Sequence, residues 1–173
     1  MNKKEVLEQK FKEILQILEL DLSDDSLKDT PKRLAKMYYD ELFSSLYTEF
    51  PKTMLVENKF KYNEPLVHEG IDVKSMCEHH FMPFIGKAKI SYIPDKKVVG
   101  LSKLNRLVDF FARRPQIQER LTNQIHAKLK EILETENVKV EISAEHYCIK
   151  MRGVNQLNTT THTSKSSGVF SKK

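Results

Sequence analysis

A chain of 173 residues with 39% hydrophobic and 31% charged side chains, five glycines and six prolines has the size and composition of one folded domain, which excludes a disordered or fibrous polymer. Its apolar runs fall far short of the roughly 20 residues of a membrane span. The Met1-Asn2-Lys3-Lys4-Glu5 start leads into a charged helix rather than a secretion signal, so a cytoplasmic protein is expected. A net charge of +5 suits an anionic partner, nucleic acid or phosphorylated small molecule; but Lys and Arg are dispersed, without the long blocks of like charge that mark a nucleic-acid arm.

The spacing of Val6, Phe11, Ile14, Leu15, Ile17 and Leu18 predicts an amphipathic helix over 4–19. Asp29-Thr30-Pro31 offers a cap followed by proline at the first helical position, and Leu34, Met37, Tyr38 and Leu42 supply one apolar face, so a second helix is expected to about Leu46. From Phe50 to Lys74 the pattern is mixed and reads as loop with one or two strands. Ala88, Ile90 and Tyr92 alternate with Lys87, Lys89 and Ser91 as a half-buried strand ending at Pro94. Ser102 is placed as the cap of a helix with Leu104, Leu107, Val108 and Phe111 inward, and Pro115 separates it from a longer helix that carries Ile117, Leu121, Ile125, Leu129 and Ile132. Val138, Val140, Ile142 and Ala144 then alternate with Lys139, Glu141, Ser143 and Glu145 as a further strand. The stretch Asn158 to Ser167 fits either a flexible tail or a strand with Thr159, Thr161 and Thr163 on one face. Helices and strands are segregated along the chain, so the class is α+β with an antiparallel sheet, organised as an N-terminal helical region over 1–48 and a main unit over 49–173.

The chemistry concentrates in two places. The chain's two cysteines each lie beside histidines, in Cys77-Glu78-His79-His80 and His146-Tyr147-Cys148, and thiolate with imidazole is the preferred donor set of zinc. A disulfide is the less fitting use of two such cysteines in a cytosolic chain. Adjacent histidines diverge, so the C-x-x-H spacing favours Cys77 and His80 as ligands with Cys148 as the third, leaving His79 and His146 beside the ion. If the last strand continues through Cys148, then Ala144, His146, Cys148 and Arg152 share one face. Three ligands leave an open position for water whose pKa zinc lowers toward about 7, and the spare histidines can move protons. A closed structural site would instead take His146 as fourth ligand. Between the clusters, Ser102-Lys103-Leu104-Asn105-Arg106 sets two cations one turn apart at a helix start, an arrangement suited to phosphates.

Those clusters, with Pro83-Phe84-Ile85-Gly86, Gly100-Leu101-Ser102-Lys103-Leu104, Arg114-Pro115-Gln116-Ile117-Gln118-Glu119-Arg120-Leu121-Thr122, Met151-Arg152-Gly153-Val154 and Asp29-Thr30-Pro31-Lys32-Arg33, resemble the GTP cyclohydrolase I family over most of the chain. The resemblance implies a tunnelling fold whose antiparallel sheets close into a barrel in a homodecamer of two pentamers, with active sites shared between subunits. It implies hydrolysis of GTP to 7,8-dihydroneopterin triphosphate and formate, with zinc as cofactor and neither nucleic acid nor membrane as partner. Carried over by motif, Cys77, His80 and Cys148 hold zinc, whose bound water attacks guanine C8. His146 donates a proton to the purine, and His79 assists ribose opening. Glu119 holds the guanine amino edge with Gln118 beside it. Ser102, Lys103, Arg106 and Arg152 meet the triphosphate, and Arg33 and Lys36 join them from a neighbouring subunit. Family members usually continue past the Gly168-Val169-Phe170 stretch, so a truncated or locally disordered C-terminus is expected, and from the short lead before the first helix no regulatory extension is expected. The rival readings are a zinc-stabilised nucleic-acid-binding module and another tunnelling-fold pterin or deazapurine enzyme.

Overall fold

The computed structural model describes residues 2–52 and 54–171, which fall into two compact units meeting between Tyr47 and Thr48. In the first, helix α1 (Lys3–Ile17) opens on a capping box in which Asn2 and Glu5 bond each other's backbone, and buries Leu15. Helix α2 (Thr30–Lys36) starts one residue before the expected position. The Asp29 side chain makes no cap bond and instead lies 3.8 Å from Arg33. The expected single helix to Leu46 is corrected: α2 widens into a π turn at Met37–Leu42 and tightens into a 3₁₀ turn at Ser44–Leu46. The altered winding gives the aromatic rings partners on two sides, with Tyr38 stacked on Phe11 at 5.3 Å and beside Phe43 at 5.5 Å, and Tyr39 stacked on Tyr47 at 4.4 Å.

In the second unit, β1 (Leu55–Glu57) and β4 (Lys97–Val99) form a small antiparallel ribbon. The main sheet contains β2 (Leu66–Cys77), β3 (Pro83–Tyr92), β5 (Pro115–Gln116), β6 (Val138–His146) and β7 (Thr161–Ser166), in the order β5-β2-β3-β6-β7. The short β5 pairs parallel with β2 and the other neighbours are antiparallel, so the sheet is mixed rather than purely antiparallel. β2 is longer than the Phe50–Lys74 pattern suggested and runs into the first Cys/His cluster. A bulge at Gly70, whose φ of 79° favours glycine, shifts the register there and blurs the alternation. The ambiguous Ser/Thr stretch is resolved in part, since Thr161 and Thr163 belong to β7 while Thr159 lies outside it.

Helices α3 (Leu101–Ala112) and α4 (Gln118–Leu133) each bury one stripe, Leu104, Leu107 and Val108 on the first and Leu121, Ile125, Leu129 and Leu133 on the second. These join the inward residues Ile71, Val73, Phe84, Ala88, Ile90, Tyr92, Val138, Val140 and Ile142 in one core, with burial contributing roughly 1.5–3 kcal/mol per large apolar side chain. The opposite face carries charges, including Asp72 bonded to Lys87 at 2.6 Å. Gly86 pairs with Ala144 across β3 and β6, and a Cβ there would stand 2.0 Å from the Ser143 carbonyl oxygen, so only glycine permits this approach. Among the described residues no helix is long and apolar enough to cross a membrane.

On α4, Thr122 Oγ1 lies 2.7 Å from Thr163 Oγ1 and His126 Nε2 lies 2.9 Å from Ser167 Oγ, tying the edge strand and the residue after it to the helix. Burial pushes the pKa of His126 down, against a partly opposing bond to the Val138 backbone. The unfolded chain therefore takes up this proton first as pH falls, and stability present above about pH 6.5 is lost as pH drops through the lower folded value. The melting temperature is expected to fall between about pH 7 and 5, and His126→Gln, which cannot titrate, is expected to flatten that slope; an unchanged slope would remove His126 from the acid response.

Candidate metal centre and active site

The end of β2, the start of β3, the end of β6 and the opening of α4 meet at one end of the sheet, through the pairs Met76 with Pro83, Cys77 with Gln116 and Phe84 with His146. After Cys77 the chain reverses in a tight turn, closed by the Phe81 amide donating to the Cys77 carbonyl at 2.9 Å and the Cys77 amide donating to Met82 at 2.8 Å. Phe81 takes the left-handed conformation the turn demands, with φ of 50°.

The second cluster departs from the strand-parity expectation. β6 ends at His146 and the chain turns at once into the short helix α5 (Tyr147–Lys150). The ladder with β3 stops at Phe84, beyond which stands Pro83 with no amide to offer, so the backbone closes its bonds locally, as in Met151 donating to Tyr147 at 3.0 Å. Cys148 is therefore swung inward by a helical turn rather than carried two residues along the His146 face, and Arg152 lies exposed beyond that turn.

The sulfurs of Cys77 and Cys148 and a ring nitrogen of His80 all lie within 4.8 Å of one another. Donors around tetrahedral zinc stand roughly 3.5–3.8 Å apart, so shifts of about 1 Å would close the three on an ion. This group could bind a metal ion. Both cysteines are buried and unbridged while His80 is exposed, which leaves an open side. Burial raises the Cys148 thiol pKa and the neighbouring Cys77 raises it further, a crowding of thiols that a dication would relieve.

Of the two remaining histidines, His79 lies beside the set and His146 is held by other partners. His79 is exposed, with Nδ1 3.6 Å from the Cys77 sulfur. The His146 ring stacks on Phe84 at 4.7 Å, and its Nε2 lies 2.8 Å from Gln118 Oε1. The buried Gln118 amide nitrogen faces three acceptors, the carbonyls of Ile142 at 3.1 Å and Thr161 at 3.0 Å and the Thr163 hydroxyl at 3.1 Å. Its oxygen is thereby left to accept from His146, which makes Nε2 the protonated nitrogen. Burial lowers the His146 pKa, with the charge of Glu119 opposing. Glu119 itself is exposed and has no hydrogen bond or ion pair among the described residues. Sequence reasoning missed two residues here: Glu78, inside the first cluster, and Arg120, next to Glu119, form a bidentate ion pair at 2.6 and 3.0 Å. Their only signal was their place within the motifs.

The phosphate candidates stand elsewhere. Helix α3 begins two residues earlier than expected, with Gly100 at the cap and no side-chain cap bond, and Ser102 and Arg106 are exposed and Lys103 half-buried on its first turns. The far end of α3 meets the metal end of β2 through Ser75 Oγ donating to Ala112 at 2.7 Å, while Asn105 bonds His68 at the other end at 2.8 Å. Ser102 stands ten residues, roughly 15 Å of helix rise, from Ala112 at the metal end. Among the described residues no hydrogen bond or ion pair joins Ser102, Lys103 or Arg106 to Cys77, His80 or Cys148. Arg33 and Lys36 lie in the N-terminal unit, exposed, 3.8 Å from Asp29 and 3.8 Å from Glu41 respectively.

Comparison with known proteins shows the family. The family model described as GTP cyclohydrolase I matches residues 7–173. This chain belongs to the GTP cyclohydrolase I family. Its relatives include proteins named GTP cyclohydrolase 1 from Blochmanniella pennsylvanica, 50% identical over 97% of this chain and 76% of that one, and Yersinia enterocolitica, 52% identical over 95% and 75%. The Vibrio cholerae protein of that name is 51% identical over 97% of this chain and 78% of its own length. The match to the GTP cyclohydrolase I family spans both Cys/His clusters, the α3 start and the α4 start, so the residues described above all lie within it.

Proposed function

We propose that this chain is a zinc-dependent GTP cyclohydrolase I, which converts GTP and water into 7,8-dihydroneopterin triphosphate and formate. The observation that carries the reading is the three-donor cluster with His79 beside the Cys77 sulfur and His146 held by Gln118. Zinc held by Cys77, His80 and Cys148 would supply a Lewis acid and water acidified toward a pKa of about 7.

The chain's own residues do the rest. Glu119 accepts from the guanine amino edge, a role suited to an exposed carboxylate with no internal partner. Gln118 holds the His146 ring through Nε2, so Nδ1 is the nitrogen that takes up a proton and passes it to the purine as the ring opens. Phe84 fixes the plane of that imidazole by stacking. His79 assists opening of the ribose. Ser102, Arg106 and Arg152, exposed, and the half-buried Lys103 bind the triphosphate, and Arg33 and Lys36 of a neighbouring subunit add charge to the same group.

The distance between the α3 start and the metal cluster supports active sites completed between subunits. A phosphate bound at Ser102 of one protomer and a purine at Cys148 of another need an oligomer, for which we propose the decamer of two pentamers, with the sheets joined edge to edge into a barrel. In this reading the enzyme works in the cytoplasm.

The test is release of formate from GTP, followed with the absorbance of the pterin product and the metal content of the same sample. Zinc-free protein with full turnover would overturn the reading. Within it, Glu119→Gln is expected to weaken GTP binding by about 1–3 kcal/mol, roughly 5 to 150-fold, because a guanine donor is left facing an amide in place of a carboxylate. Calorimetric titration with GTP checks this, and an unchanged affinity would refute the guanine role.

A further inference from the structure

The Glu78–Arg120 ion pair takes no part in the roles above, yet it joins the two halves of the site. Both guanidinium Nη atoms donate, Nη1 to Oε2 at 2.6 Å and Nη2 to Oε1 at 3.0 Å, a two-point geometry that fixes orientation as well as distance. Its partners are 42 residues apart in sequence. Glu78 sits between Cys77 and the two histidines, and its amide donates to the Gln116 carbonyl at 2.9 Å, so the metal loop is held on that side by backbone and side chain together. Arg120 belongs to the opening turn of α4, where Gln118 faces His146, Glu119 is open to solvent and Arg120 reaches back to the metal loop.

Guanine is a rigid bicycle. The separation between the edge that Glu119 would hold and the carbon to be attacked at the metal is fixed by the base, and the protein must match it. A misplacement of about 1 Å in such an arrangement costs on the order of 100-fold in rate. We propose that Glu78 and Arg120 are positioning residues, whose two-point ion pair keeps the metal-ligand loop in register with the start of α4 and so sets the spacing between metal centre and guanine carboxylate. This rests on reading the site as one that hydrolyses GTP. The Arg120 and Glu78 side chains are 42% and 29% exposed, so the pair adds little to global stability, and its effect on alignment is separable from unfolding.

The test compares Glu78→Gln, Arg120→Gln, the double variant and Arg120→Lys with the unaltered full chain, all loaded with zinc. The expected result is a fall in kcat of about 10 to 100-fold in each, the double variant no slower than the singles, with KM for GTP, zinc content and melting temperature nearly unchanged. Arg120→Lys is expected to fail as well, because an ammonium keeps the charge and loses the fork. Amide hydrogen exchange in the loop 78–81 is expected to quicken in the variants while the rest of the sheet is unaffected, a readout independent of turnover. A kcat within about twofold of the unaltered protein in any variant, additive losses in the double, or a loss matched by lost zinc would overturn the proposal. Failure of the unaltered protein itself to release formate from GTP would instead overturn the functional reading beneath it.

Discussion

Cys148→Ala is expected to purify without stoichiometric zinc and to release no measurable formate from GTP. The buried Cys148 sulfur and the Cys77 and His80 donors lie within 4.8 Å of one another, and removing it leaves two protein ligands where zinc sites use at least three. The substitution deletes one small buried atom from the end of the core, so the fold should survive, and circular dichroism beside metal analysis separates lost metal from lost structure. One zinc per subunit retained in Cys148→Ala would refute its place as a ligand.

His146→Ala is expected to give the opposite division: zinc retained, and kcat reduced by roughly 10² to 10⁴, the range for loss of a general acid or base. The ring touches Phe84 and Gln118, so alanine also removes an aromatic stack and strands the Gln118 oxygen, and the melting temperature should drop modestly. Metal content and single-turnover kinetics of His146→Ala check the assignment. Equal metal loss in His146→Ala and Cys148→Ala would erase the distinction between ligand and proton carrier.

Much of this architecture was legible from periodicity. The stripes of α3 and α4 and the alternation of β3 and β6 are local patterns, because burying one face of a helix or strand imposes its period on the sequence. The departures share a different cause. β6 stops at His146 because Pro83 cannot extend the ladder across the sheet, which the run of residues around Cys148 does not reveal. The π turn at Met37–Leu42 answers to aromatic partners such as Phe11 and Tyr47, and β7 was ambiguous because its Ser/Thr content fits a tail as well as an edge strand whose hydroxyls bond α4.

The site divides in the same way. Donor chemistry is a property of single residues and short spacings, so Cys77-x-x-His80, the His146/Cys148 pair and the cations around Ser102 could all be read directly from the chain. Whether a histidine is a ligand or a proton carrier depends on which atoms stand within hydrogen-bond reach of it. Only the tertiary structure supplied Gln118 opposite His146, Glu78 opposite Arg120, and the length of α3 between the metal cluster and the phosphate-binding candidates. Hydrogen bonds and ion pairs act over about 3 Å, and the partners they join here lie tens of residues apart along the chain.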